Sequence, residues 1–533
     1  MQGYSQAGLD DGLGGGSAQH EDVPAGQDAG ETADNQDLAH RLAAPEAAIP
    51  SAAERFGLGQ TVLGQRRPDG EHHQDVESSR GEQLAGFDLD DPGHGALLDP
   101  GDWTGRGRLY SDLMSERLAG DHRRHAPAAV HPDPSSARSL VDESGQVFPQ
   151  DQRLVNLSNW QLEANLHWAF QHMRELMPSQ VILGSDVSRP LREEPQDLGS
   201  LALEDIVFAT NLDEVMAGSQ TDGLLVIKDG VVVFERYFDP MLRRSRHLVM
   251  SVSKSIVSSV AATLCADGLL DPDAPVESYV PELAGSGYAG ATVRNVLDMR
   301  TGVRFSEAYL DPMSEVRVME RSMGWAPRQH GDPLGAYPYI LTTVRDSDHD
   351  GTFTYRSIDT DTLGWIVERA AQQRMADLIS ERVWQPMGAE HDAEVTADPL
   401  GCAIHDGGVS ATLRDLGRFG LMLLDQGVVN GREVIPAQWI ESASFPPADV
   451  RNAFARSETE PHLPGGWYRN QFWFVPGDNG PILLCLGIHG QMIFVEAATR
   501  TVGVKLSSWS TPQHLDKLVG TISTFRQIAR HLT

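Results

Sequence analysis

Lysine is scarce in this 533-residue sequence: Lys228, Lys254, Lys505 and Lys517 are the only four. One of them stands three residues after a serine, in Met250-Ser-Val-Ser-Lys-Ser255, where a strand-like stretch gives way to a helical pattern. Residues i and i+3 of a helix share a face, so the Ser251 hydroxyl and the Lys254 amine can approach each other. A serine hydroxyl becomes nucleophilic when a base takes its proton. Lysine can be that base if burial and neighbouring positive charge keep part of it neutral. A helix start also carries partial positive charge, which favours a developing alkoxide and oxyanion. The tetrapeptide alone is a weak signal, because a serine and a lysine fall at this spacing by accident.

Two further segments raise it. Tyr355, in Thr352-Phe-Thr-Tyr-Arg-Ser357, precedes a helical pattern and offers a phenol to pass protons between nucleophile and leaving group. Taken singly, such a tyrosine is ordinary packing. Gly487-Ile-His-Gly-Gln491 lies at a strand start, where glycines let backbone N–H groups approach a substrate oxygen. Taken singly, it is a turn. Other chemistry finds less support. Asp346-Ser-Asp-His-Asp-Gly351 imitates a calcium loop but has Ser357 at the twelfth position, so it reads as a surface turn. His72-His73 and His122-Arg-Arg-His125 lack zinc-ligand partners at useful spacing. No metal or cofactor is implied.

These residues need elements to hold them. Leu162, Leu166, Phe170, Met173 and Leu176 suggest a helix ended by Pro178, followed by a polar connection over 179–205. Leu224–Ile227 and Val231–Phe234, joined through Asp229-Gly230, read as a hairpin. Helices are expected at Ser251–Leu264, Thr292–Met299, Asp361–Ala371, Thr412–Leu424 and Leu515–His531. Strands are expected at Ile482–Leu486, Met492–Val495 and Thr501–Leu506. A hairpin first, helices between, strands and a helix last give an α+β order whose sheet is completed by both ends.

The bulk numbers bound the rest. Formal net charge is -32, which argues against nucleic acid and anionic membrane as partners. Cys265, Cys402 and Cys485 are widely spaced, so a disulfide framework is not expected. The N-terminal residues lack the pattern of a signal peptide, and no apolar run reaches the ~18 residues of a membrane span. The expectation is a soluble, cytoplasmic protein. Residues 1–150 show neither helical nor strand periodicity and read as a disordered segment or as a gene model extended upstream of the true start; composition favours the second. Residues 151–533 are then the folded domain.

In this chain order the segments resemble the serine penicillin-recognising enzymes, the class C β-lactamases, DD-peptidases and related esterases. They resemble most the 6-aminohexanoate-dimer (nylon-oligomer) hydrolases. The resemblance runs from about Trp160 to Trp509 and includes Arg246-His-Leu-Val-Met-Ser-Val-Ser-Lys-Ser255, Tyr279-Val-Pro-Glu-Leu-Ala-Gly285, Tyr309-Leu-Asp-Pro-Met-Ser-Glu-Val316, Gly407-Gly-Val-Ser410 and Val504-Lys-Leu-Ser-Ser-Trp509. It implies a serine β-lactamase-like fold, an antiparallel sheet flanked by helices with an all-helical subdomain. It implies Ser251 as acylated nucleophile, Lys254 as base, Tyr355 as proton relay, and the Ser251 and Ile488 amides as oxyanion hole. Tyr309, Glu320, Ser357 and His489 fall at substrate-binding positions, with Glu320 placed to pair with a substrate ammonium. Trp325 falls where it could wall the cleft. Penicillin-active members carry Lys-Thr-Gly beside the nucleophile. Here Cys485-Leu-Gly487 or Ile488-His-Gly490 stands in its place, so a short linear amide or ester is the expected substrate rather than a β-lactam. A homodimer is compatible with this reading, as are a β-lactamase-like activity and a catalytically silent binding protein of the same fold.

Overall fold

The computed structural model describes residues 155–533. The reading of residues 1–150, with its paired histidines, lies outside the described residues.

Among the described residues eight strands build the main sheet. In chain order they are β1 (Arg192–Glu193), β2 (Thr221–Lys228), β3 (Val231–Tyr237), β4 (Trp467–Arg469), β5 (Phe472–Pro476), β6 (Pro481–Gly487), β7 (Gln491–Glu496) and β8 (Thr501–Ser507). Across the sheet they run β4-β5-β6-β7-β8-β2-β3-β1. The early hairpin therefore pairs with the last strand, as the order of elements requires. Its turn has Asp229 and Gly230 both at positive φ, 52° and 79°, the geometry that matches the right-handed twist of the strands. Every neighbouring pair is antiparallel except the short edge contact of β1 with β3, which is parallel.

Five helices frame the cleft and the sheet behind it: α1 (Val252–Ala266), α2 (Glu315–Met323), α3 (Ser357–Ala371), α4 (Leu413–Leu424) and α5 (Leu515–His531). Successive strand residues point to opposite faces. Gly420 of α4 presses on Val502, while Phe525 of α5 covers the neighbouring Gly503. So α4 and α5 cover opposite faces of the sheet. α4 begins where Thr412 accepts the Asp415 amide, an N-cap that satisfies one otherwise orphaned donor.

α1 is buried on all sides from Val252 to Leu264, so its serines must find partners inside. Ser255 Oγ donates to the Gln471 carbonyl at 2.9 Å and Ser258 Oγ to the Asn470 carbonyl at 2.6 Å. Ser253 Oγ accepts the Val409 amide at 3.0 Å. These bonds tie the helix to the β4–β5 turn on one side and to the strand Val409–Ala411 on the other. That strand belongs to a second sheet, in the order Ser179–Ile182, Ala393–Thr396, Val409–Ala411, His247–Leu248. The residues just before Ser251 are thereby held beside the turn 405–408.

Three local expectations change. The helix read through Leu176 is broken into Glu163–Ala169 and Met173–Leu176. The connection 179–205 contributes two short strands. The hairpin β4–β5 was not read at all, because its turn uses Asn470 and Gln471, both at positive φ (52° and 61°), in place of a glycine.

Candidate active site

Ser251 caps the start of α1, and the residue before it, Met250, is held at φ 48°. A long side chain in the left-handed region is costly, and such outliers persist where the surroundings fix them. Here Val249 donates to the Val409 carbonyl at 2.9 Å, and the chain must turn at once into the helix. The turn brings the Ser251 hydroxyl to the rim of a cleft. One helical turn on, Lys254 is fully buried, and its Nζ donates to Ser251 Oγ at 2.9 Å, Ser357 Oγ at 3.1 Å and the Asp406 carbonyl at 2.7 Å.

The electrostatics differ from the sequence expectation. Burial pushes Lys254 toward neutrality, but Tyr355, Asp406, Glu307 and Asp361 outweigh it and hold the amine above the ordinary lysine range. None of these groups is a cation. Burial likewise raises the Tyr355 phenol, against the pull of Lys254 and of the Ser251 hydroxyl. At rest the pair is therefore an ammonium beside a neutral phenol. Tyr355 is fixed by stacking on Trp473, with centroids 5.1 Å apart, and Lys254 Nζ lies 5.4 Å from its ring centre.

Ser251 and Ile488, whose amides are expected to form an oxyanion hole, both line the cleft. Gly487 lets the end of β6 lie against the residues before the nucleophile: a Cβ there would stand 2.5 Å from the Val249 carbonyl oxygen and 3.1 Å from Met250 Cβ. The cleft has a volume of about 970 Å³ and is walled by Phe305, Tyr355, Trp473, Ile488 and Trp509. On the other side of Ser251 a cavity of about 20 Å³ is lined by Tyr309, Glu320, Trp325 and Asp406, room for about one water. Trp325 is thus both core, at 5% exposure, and wall of this small cavity.

The expected substrate-binding residues divide. Ser357 reaches the site, but as a partner of Lys254; its amide also donates to Glu307. Tyr309 lines the small cavity, and its hydroxyl donates to Glu307 Oε2 at 2.6 Å. Glu320 is neither a loop residue nor solvated. It lies on α2 at 5% exposure with its carboxylate 2.5 Å from Arg317 Nη1, so its charge already has a partner. His489 is not brought to the cleft. Its backbone is left-handed at φ 61°, its Nδ1 faces the Trp509 carbonyl at 2.6 Å, and its ring packs edge-on to Phe170.

Glu307 and Asp406 belong to the site and escaped the sequence reading. Glu307 stands two residues before Tyr309, and Asp406 directly precedes Gly407-Gly408. Single acids beside marked motifs are a faint signal.

Three comparisons bear on this arrangement. A family model described as Beta-lactamase matches residues 208–520. The chain is 36% identical over 399 residues to a 6-aminohexanoate-dimer hydrolase of Paenarthrobacter ureafaciens, covering 75% of this chain and 94% of that one. It is also similar to a solved structure from Bacillus anthracis, named provisionally as a 6-aminohexanoate-dimer hydrolase. The TM-score is 0.64 at 25% identity, covering 72% of this chain and 98% of that one.

Proposed function

Starting from the beta-lactamase family, to which this chain belongs, we propose that it hydrolyses short linear amides of the 6-aminohexanoate-dimer kind, and the corresponding esters, through an acyl-enzyme on Ser251. The observation that carries this is the 2.9 Å contact of Lys254 Nζ with Ser251 Oγ at the head of a buried helix, where a left-handed Met250 turns the hydroxyl into the cleft.

Ser251 Oγ bonds to the substrate carbonyl carbon as its proton passes to Lys254 in its neutral, amine form. The carbonyl oxygen, now an alkoxide, is met by the Ser251 and Ile488 amides and by the positive end of α1. Tyr355 passes a proton to the leaving nitrogen, the C–N bond breaks, and the amine departs. Water then attacks the ester, giving its proton to the same pair, and Ser251 is released. Methylene chains suit a cleft walled by Phe305, Trp473 and Trp509, because aliphatic segments gain by leaving water. Residues 151–533 are the hydrolase domain of a cytoplasmic enzyme. Size-exclusion chromatography with light scattering would separate a monomer from a homodimer.

The test is a substrate panel run on wild type and Ser251→Ala. Aminohexanoate dimer and a short p-nitrophenyl ester should be turned over by the first and not by the second. Equal turnover in both, or none in either, would remove Ser251 from the chemistry.

A further inference from the structure

Lys254 starts as an ammonium, and an ammonium cannot take the Ser251 proton. Something in the site must hold the surplus proton. The geometry points to Asp406 as the positioning residue that does so, relieving Lys254 so that its amine can act on Ser251; this rests on the site proposed above.

Asp406 presents two oxygens to one nitrogen. Its main-chain carbonyl accepts Lys254 Nζ at 2.7 Å, and its carboxylate Oδ2 stands 3.6 Å away. The other carboxylate oxygen, Oδ1, is buried without a hydrogen-bond partner. Most oxygens of the neighbouring acids are committed elsewhere. Glu307 takes the Tyr309 hydroxyl and the Ser357 amide. Asp361 Oδ1, from α3, takes the His405 and Asp406 amides at 3.0 and 3.3 Å, which clamps the turn that carries Asp406. Glu320 is paired with Arg317. Of the nearby cations His405 faces Asp361 at 3.7 Å and Glu368 at 3.8 Å, and does not neutralise Asp406. Buried acids thus outnumber buried cations, and proton uptake by one of them is favoured. Burial and then Asp361 push the Asp406 carboxyl up to about 8, with Lys254 pulling the other way and Glu307 and Glu320 adding to the rise. Asp361 Oδ2 is likewise buried without a partner, but among the described residues Asp406 is the one acid whose carboxylate stands within 4 Å of Lys254 Nζ.

The step is a transfer within the pair. In the form of the pair that holds a single proton, populated as pH rises through about 8, that proton leaves Lys254 Nζ for Asp406 Oδ2, and ammonium plus carboxylate become amine plus carboxylic acid. The amine then takes the Ser251 proton as Oγ bonds to carbon. When the leaving group has been protonated, the pair is restored.

The experiment is the pH profile of kcat/KM for a short p-nitrophenyl ester over about pH 5 to 10. Asp406→Asn keeps the main-chain contact but cannot take a proton. Above about pH 8, where the wild-type pair holds one proton and its rate levels off, the variant should lose about tenfold or more and its rate should still climb with pH. An unmoved profile overturns the role, and so does a rise that shifts to lower pH with activity kept, the outcome for a carboxylate that merely favours the ammonium. Asp406→Glu restores a titratable group and should level off again, with its midpoint displaced by about half a pH unit or more. If the Asn variant does not fold, a Glu profile superimposable on wild type overturns the role. Ser251→Ala is run alongside. Turnover surviving there overturns the Ser251 assignment and this one with it, whereas its loss beside an unmoved Asp406→Asn profile overturns Asp406 alone.

Discussion

Removing the Lys254 amine leaves Ser251 Oγ without the donor that sits 2.9 Å from it. Lys254→Met should lower kcat by about 10²- to 10⁴-fold, the usual range for a lost acid–base group, with KM little changed. Steady-state kinetics on one ester would check both numbers. His489 makes a different prediction, because its burial lowers its pKa to about 4. A histidine held neutral in the folded state contributes stability above its unfolded pKa, near 6.5. That stability is lost as pH falls from there toward 4, by up to about 3 kcal/mol. His489→Asn suits the left-handed backbone, since asparagine tolerates that region. The variant should therefore lose less stability than wild type over this window in urea titrations, while turning over substrate at a similar rate. A marked fall in its activity would instead return His489 to the substrate. Ser251, Lys254 and Tyr355 were legible because each sat in a marked context, a rare lysine or a boundary between patterns. Glu307, Asp406 and Asp361 were not. Single acids on three separate segments carry no spacing that a sequence shows, and the fold alone assembles them.

The elements read best where periodicity was strong. The hairpin β2–β3, helix α5 and the strands β6 to β8 stand at or near the expected positions, since each has either clean alternation or a long amphipathic pattern. The β4–β5 hairpin was lost because Asn470-Gln471 is not among the usual hairpin turn pairs. Yet this turn accepts the Ser255 and Ser258 hydroxyls and so helps to hold α1 in place. The end of β6 makes a close element contact at the site. Gly487→Ala would set a Cβ 2.5 Å from the Val249 carbonyl, so the strand end or the Met250 turn must move. A displacement of about 1 Å at a reacting centre costs on the order of 10²-fold. The variant should fold with a modest loss of Tm but lose most of its kcat. Full activity in Gly487→Ala would show that the Ile488 amide does not serve the oxyanion.

Across the molecule as a whole, substrate choice turns on which cations the fold brings to the cleft. Of the four lysines, Lys254 is engaged with Ser251 and Asp406. Lys505 is buried in β8 against Ser507 and the Ser219 carbonyl. Neither Cys485-Leu-Gly487 nor Ile488-His-Gly490 sets a lysine or arginine beside the nucleophile for a β-lactam carboxylate, and the arginine that lines the cleft, Arg456, comes from a different segment. A chromogenic cephalosporin should be turned over about 10²-fold or more slowly than a linear amide, as a missing charged contact predicts. Comparable rates on the two would contradict the expected substrate class. Among the described residues no helix is long and apolar enough to cross a membrane. The role of every group around Ser251 depends on a covalent intermediate forming there, and mass spectrometry of the enzyme quenched during turnover of a slow aryl ester looks for it. The expected result is a mass increase of one acyl group, mapped to the peptide that holds Ser251 and absent from Ser251→Ala. Turnover with no acylated peptide, or an acyl group on another residue, would rule that intermediate out.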